Sequence, residues 1–214
     1  AVSLDTGFRT TLLWGRKTMR SELGPLRFQL SPRAFFPINP KQAAASYDAA
    51  KKAAQLTGKE KVANLYSGNG TIALWIAAQA KEVRGVEMIR EAVEDARKQA
   101  ALNGIANVHF ENGKAEDRFP SWIKQGFRPD VLVLHPPRSG CHPAVLESIL
   151  KGRVKRVVYI SGNPASLAKD CGPLLKGGYE LESIQPVDLF PQTAHVESVV
   201  TLSKPIRRQH RATR

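Results

Sequence analysis

From Val62 to Lys176 the chain alternates short apolar runs, rich in β-branched residues, with stretches whose apolar residues recur at helical spacing. The strand signals are Val62–Tyr66, Glu82–Glu87, Val108–Phe110, Val131–Leu134 and Arg156–Ile160. The helical signals are Thr71–Ala80, Arg90–Leu102, Ala144–Leu150 and the segment from Asn163-Pro164 to Lys176, while Glu116 and Asp117 sit in a polar loop. A chain that alternates this way must cover both faces of its strands, which predicts an α/β fold with a doubly wound, mostly parallel sheet. Tyr179–Leu189 and Val196–Leu202 follow as an antiparallel pair at one edge.

Ahead of this unit lies a basic preface, residues 1–41. Thr10–Trp14 and Leu26–Leu30 are β-prone, Gly24-Pro25 marks a turn, and Lys17–Leu23 has the spacing of a helical turn. Asn39-Pro40 opens a helix to about Leu56, with Ala43, Ala44, Tyr47, Ala50 and Ala54 on its inner side and Thr57-Gly58 as its stop.

Charge and cysteine content narrow the function classes. The net charge is +13, and the ends carry most of it: residues 1–41 contribute +5 and residues 204–214 another +5. That distribution fits an electrostatic footprint for a polyanion, and equally a solubilising surface with a basic tail. There is no run of about 18 apolar residues to span a membrane, and Ala1–Arg9 lacks the apolar stretch of a signal peptide. Two cysteines, Cys141 and Cys171, exclude a disulfide framework, fall short of a metal cluster and fit a reducing cytoplasm.

Three stretches carry chemistry. Ser67-Gly68-Asn69-Gly70-Thr71 follows the first strand signal; two glycines there let a ligand approach the backbone, and Glu87, 17 residues beyond Gly70, stands where an acid accepts hydrogen bonds from ribose hydroxyls. Read alone, the turn is also compatible with plain packing. His135-Pro136-Pro137-Arg138 ends a buried strand in a rigid pair of prolines. Ser161-Gly162-Asn163-Pro164 is a strand-to-helix turn at the sheet edge where α/β proteins bind ligands.

Together with Phe35-Phe36, Asn39, Gln42, Gly85-Val86-Glu87 and Asp188 through Glu197, these motifs run in the order of a known family. From about Leu26 to Leu202 the chain resembles the methyltransferase domain of the RNA 5-methyluridine methyltransferases of tRNA and 23S rRNA. The resemblance implies a Rossmann-like class I methyltransferase sheet, S-adenosyl-L-methionine as cofactor, RNA as partner and a cytoplasmic location. It divides the chain into a remnant of an RNA-binding subdomain (1–41), the methyltransferase-like domain (42–203) and a basic tail (204–214). The family usually carries an oligonucleotide-binding barrel and a fuller central domain, and 41 residues are too few for either.

By the same resemblance, Tyr66, Gly68, Gly70, Thr71, Glu87 and His135 hold the cofactor, while Phe35, Arg138, Asn163, Arg207, Arg208 and Arg211 face RNA. Glu197 falls on the general base that removes the C5 proton. In the family a cysteine thiolate first adds to uracil C6, because C5 is a poor nucleophile until then. Here that position is Gly162, which has no side chain. Pro37 replaces a cofactor-contacting glutamine, Asn64 an acid, Ser67 a small residue and His135 an aspartate. Cys141, six residues beyond His135, is the one candidate for a displaced nucleophile, and a small buried thiol is the commoner role for such a residue. Two functions follow: an S-adenosylmethionine-dependent RNA methyltransferase acting at uracil C5 or at an atom that needs no thiol, or a binding module that holds RNA without methyl transfer.

Overall fold

A computed structural model describes residues 2–5, 10–16, 18–31 and 36–205. The chain begins with two hairpins, β1 (Val2–Asp5) with β2 (Thr10–Trp14) and β3 (Met19–Leu23) with β4 (Leu26–Leu30). Then come α1 (Pro40–Ala54), β5 (Lys61–Leu65), α2 (Thr71–Ala77), β6 (Glu82–Glu87), α3 (Arg90–Leu102), β7 (Val108–Asn112) and α4 (Ala115–Lys124). The remainder is β8 (Val131–Leu134), α5 (Pro143–Gly152), β9 (Arg156–Ser161), α6 (Pro164–Lys176), β10 (Glu180–Val187) and β11 (Glu197–Ser203). Seven strands form one sheet in the order β10-β11-β9-β8-β5-β6-β7, parallel from β9 to β7, with β11 antiparallel to β9 and to β10.

Alternate side chains of the central strands feed two separate cores, as the two-residue period of a strand requires. Val62, Val131, Val133, Val158 and Ile160 pack with α1, α2 and α3; Ala63, Leu65, Leu132, Leu134, Val157 and Tyr159 pack with α4, α5 and α6. The sheet is therefore buried on both faces, and the open space for a ligand lies at its carboxyl edge.

Three elements differ from the sequence expectation, the first being strand β1 (Val2–Asp5), which pairs with β2 where the sequence carries no strand signal. Met19–Leu23 is a strand rather than a helical turn, because pairing with β4 sets Leu23 opposite Leu26 and buries both. Glu116 and Asp117 lie in the first turn of helix α4 rather than in a loop. Acids favour that end of a helix dipole, and Phe119 and Trp122, one turn apart, anchor it in the core. Pro120 inside the helix obscures its periodicity, since proline removes an intrahelical bond.

The β3–β4 hairpin belongs physically to the α/β core. Leu23, Leu26, Phe28 and Leu30 are buried with α1, α2 and α3. Helix α3 also pairs with the free edge of β4 through amide side chains one helical turn apart. Gln99 accepts from the Gln29 N–H at 2.9 Å and donates to its carbonyl at 2.7 Å; Asn103 accepts from the Arg27 N–H at 2.9 Å and donates to its carbonyl at 2.8 Å. Phe28→Ala is expected to cost about 3–5 kcal/mol in urea denaturation. Gln99→Ala is expected to cost about 1–3 kcal/mol, because it leaves both backbone groups of Gln29 without their partner. A loss below about 0.5 kcal/mol for both would show the hairpin to be independent of the core.

Candidate active site

Five strand ends converge at the carboxyl edge. Strand β5 runs into Tyr66, which takes a left-handed φ of 60°, and into the turn Ser67–Gly70. Strand β6 ends on Glu87, β8 leads to His135-Pro136-Pro137, β9 ends at Ser161, and β11 starts at Glu197. At the ends of β5, β6 and β8 lies a cleft of about 720 Å³.

Of the residues expected to hold a cofactor, Tyr66, Gly68, Thr71, Glu87 and His135 line this cleft. The Glu87 carboxylate accepts the Gly68 N–H and the Ile89 N–H, each at 3.0 Å, and Asn112 holds the Glu87 carbonyl at 3.0 Å. An ionised carboxylate offers about four acceptor sites, so two remain for ligand hydroxyls. A Cβ added at Gly68 would meet no protein atom within 4 Å, so the backbone there is open to a ligand. Gly70 plays a different part. Its φ is +83°, and a Cβ would stand 2.6 Å from Phe110 Cζ and 2.9 Å from Ala96 Cβ, so this glycine permits packing beneath the turn.

Ser31, Pro37, Tyr47 and Asp95 also line the cleft. Asp95 is buried and accepts the Ser31 hydroxyl at 2.5 Å. Ser31 and Asp95 meet only because β4 docks on α3, and no local signal marks either residue. Asn64 is fully buried, donating to the Val133 carbonyl at 3.2 Å. Among the described residues its Oδ1, like the Ser67 hydroxyl, is buried without a hydrogen-bond partner.

At the other end of the edge, Ser161 pairs with Ser198, so the antiparallel register carries Gly162 and Glu197 to adjoining positions one step further on. Glu197 is 4% exposed. The Ser46 hydroxyl of α1 donates to one of its oxygens at 2.5 Å, and His135 Nε2 lies 3.6 Å from the other. Burial pushes the Glu197 carboxyl up, but the facing His135 ring and the Ser46 hydroxyl outweigh it and hold the group below the usual carboxylate range. Burial, and then the charge of Glu197, push the neighbouring Tyr47 hydroxyl far above its ordinary value. Ser46 falls on the inner stripe of α1 with Ala43, Tyr47, Ala50 and Ala54. Its helical spacing was the available signal for it.

Gly162 lies beside Arg138 and apart from the residues that line the cleft. A Cβ at Gly162 would have Arg138 Nη1 at 3.8 Å as its sole near neighbour, so the position has room for a side chain. Cys141 is buried off the cleft, with its Sγ 3.6 Å from the Tyr159 hydroxyl and its N–H donating to Asp170 at 2.6 Å. Burial pushes its thiol up to about 12, which keeps it protonated and inert. Asn163 caps α6 by accepting the Ala165 N–H at 3.1 Å and donates to the Arg138 carbonyl at 2.8 Å, tying the two loops together. Phe35, Arg207, Arg208 and Arg211 lie outside the described residues.

The sheet order, the antiparallel β10–β11 pair and the glycine turn at this edge make up the Rossmann-like methyltransferase fold. Residues 35–205 match the family model described as tRNA (Uracil-5-)-methyltransferase, and the chain belongs to that family. It is 53% identical over 201 residues to an uncharacterized RNA methyltransferase of Bacillus anthracis, covering 94% of this chain and 44% of that protein. It is 51% identical over 200 residues to an RNA methyltransferase of Halalkalibacterium halodurans, covering 94% and 43%. The chain thus spans less than half the length of these relatives. Among solved structures it is similar to the Pyrococcus abyssi tRNA (uracil-54, C5)-methyltransferase in complex with S-adenosyl-L-homocysteine. The TM-score is 0.73 at 28% identity, covering 91% of this chain and 45% of that one.

Two substitutions separate the roles of the glycines. Gly162→Cys should leave stability within about 0.5 kcal/mol, whereas Gly70→Ala should cost more than about 2 kcal/mol, measured by thermal denaturation. Equal losses would contradict the geometry. Because the Glu197 carboxyl is held below its ordinary value of 4.5, its contribution to stability is present above that pH and lost as pH falls through the folded value. Glu197→Gln should therefore be less stable than the parent chain at neutral pH, with the gap closing on acidification. A gap unchanged down to about pH 3 would mean that folding leaves the proton affinity of the carboxyl unaltered.

Proposed function

We propose that this chain is the cofactor- and RNA-holding domain of an RNA methyltransferase, acting on tRNA or rRNA in the cytoplasm. It binds S-adenosyl-L-methionine in the cleft above Gly68 and receives an RNA base at the adjoining edge, beside His135, Arg138 and Gly162. One observation carries this reading: the Glu87 carboxylate, fixed by two backbone N–H groups beside an open Gly68 backbone, in a cleft of about 720 Å³. That volume suits a nucleoside with an amino-acid arm. Glu87 would take the ribose hydroxyls, with Tyr66 and Thr71 along the wall. The cofactor, when bound, supplies an electrophilic methyl group.

The RNA side rests on charge. The excess of 13 positive charges is concentrated at the two ends of the chain, and Arg138 stands beside Gly162. The chain's own nucleophile for covalent C5 chemistry is absent at Gly162 and is not supplied by Cys141. Those two facts favour, as a second reading, a module that holds cofactor and RNA without methylating.

Calorimetric titration with S-adenosyl-L-methionine tests the first reading, with micromolar affinity expected and Glu87→Ala weakening it about tenfold or more, as for loss of a charged hydrogen-bond acceptor. No heat at about millimolar ligand would overturn it. RNA affinity should fall steeply as salt rises, with a log–log slope of about −0.7 per phosphate contact on a single strand. A flat response would remove the basic ends as RNA contacts.

A further inference from the structure

The residue that the family resemblance offers as proton acceptor is not the one that faces the cleft. Glu197 is buried, one carboxylate oxygen bound by Ser46 and the other turned to His135 Nε2 at 3.6 Å, and it is not among the residues lining the cleft. His135 does line it, with 27% of its side chain exposed. Its Nε2 is directed at Glu197, and among the described residues nothing hydrogen-bonds its Nδ1. The groups around the carboxylate are the Ser46 and Tyr47 hydroxyls of α1 and the His135 ring.

We propose that His135 is the proton acceptor of this cleft and that Glu197, anchored by Ser46, is the positioning residue behind it. The nucleobase atom it serves is an acidic, imide-type N–H rather than a C–H. The inference rests on the proposed cofactor and RNA binding. A buried carboxylate next to an imidazole fixes its tautomer, with the proton on Nε2 and the lone pair on Nδ1, and stabilises the imidazolium that forms. In the step, the nucleobase N–H bond breaks, its proton moves to Nδ1, and the bonding pair stays on the nucleobase nitrogen as a nucleophilic lone pair. The imidazolium later releases that proton to solvent.

The substrate class follows from acidity. A pyrimidine C5–H becomes acidic enough for a side-chain base only after a nucleophile has added at C6. Gly162 has no side chain, and the Cys141 thiol is buried off the cleft. An imide N–H needs no such adduct, and imidazole is a suitable acceptor for it at neutral pH. With the cofactor bound, that nitrogen lone pair would form the N–CH3 bond as the sulfonium S–CH3 bond breaks, leaving S-adenosyl-L-homocysteine and a methyl mark on nitrogen.

The test has three parts on the 214-residue chain. Two-bond proton–nitrogen NMR of the chain without ligand should show neutral His135 as the Nε2–H tautomer, with that preference lost in Glu197→Gln; an Nδ1–H tautomer in the parent chain overturns the inference. Incubation with S-adenosyl-L-methionine and in-vitro-transcribed tRNA and rRNA, followed by nucleoside mass spectrometry, should give an N-methylated pyrimidine. A C5-methylated product, or no methylated nucleoside from a chain that binds S-adenosyl-L-methionine by calorimetry, overturns it. His135→Gln should lower the rate on the order of 100-fold, and added imidazole should restore part of the activity of His135→Ala. Unchanged activity in His135→Gln, or no rescue from imidazole in a folded His135→Ala, overturns the assignment. Failure to bind S-adenosyl-L-methionine at all sinks the proposed function first, which separates the two failures.

Discussion

Burial of the central strands on both faces is the constraint from which the architecture follows. Strands β5, β8 and β9 have no polar face to turn to water, so two helical layers must cover them, and each strand residue belongs to one core or the other by parity. With both faces covered by helices, the strands present groups to a ligand at the carboxyl edge. The turns after β5, β6, β8 and β9 therefore carry the polar and flexible residues of the site.

That edge also concentrates the costs of the fold. A carboxylate as buried as Glu197 is tolerated only with partners, and it has the Ser46 hydroxyl and the His135 ring. An aspartate at position 135 would set a second negative charge against Glu197. Histidine there instead brings a cation or a hydrogen-bond donor. The residue at 135 thus affects the state of the residue at 197, and the two belong to one electrostatic unit. Asn64 differs: it is buried with its Oδ1 unpaired, and nothing in the structure explains it.

Much of the fold was legible because it is local. Strand and helix alternation, the Asn39-Pro40 and Asn163-Pro164 helix starts, and the terminal antiparallel pair all depend on residues within a few positions of one another. The errors have the same explanation. Met19–Leu23 takes its strand form from pairing with β4, and α4 from the burial of Phe119 and Trp122; both are long-range gains that outweigh local pattern. The buried side chains of β3 and β4 likewise take their places by packing with α1, α2 and α3, far along the chain.

The sequence by itself determined the alternation of strands and helices outside α4, the glycine turn followed by Glu87, and the absence of a side chain at Gly162. Tertiary structure alone decided what meets what. Ser46, His135 and Glu197 come from α1, the loop after β8 and β11, and they converge because an antiparallel register and a docked helix bring them to one edge. The same packing removed Cys141 from the cleft, turned Gly70 into a packing residue and paired Ser31 with Asp95. Local propensity records which conformations a segment prefers. Which side chains share a site depends on contacts between segments distant in sequence, and those are settled only when the two cores close.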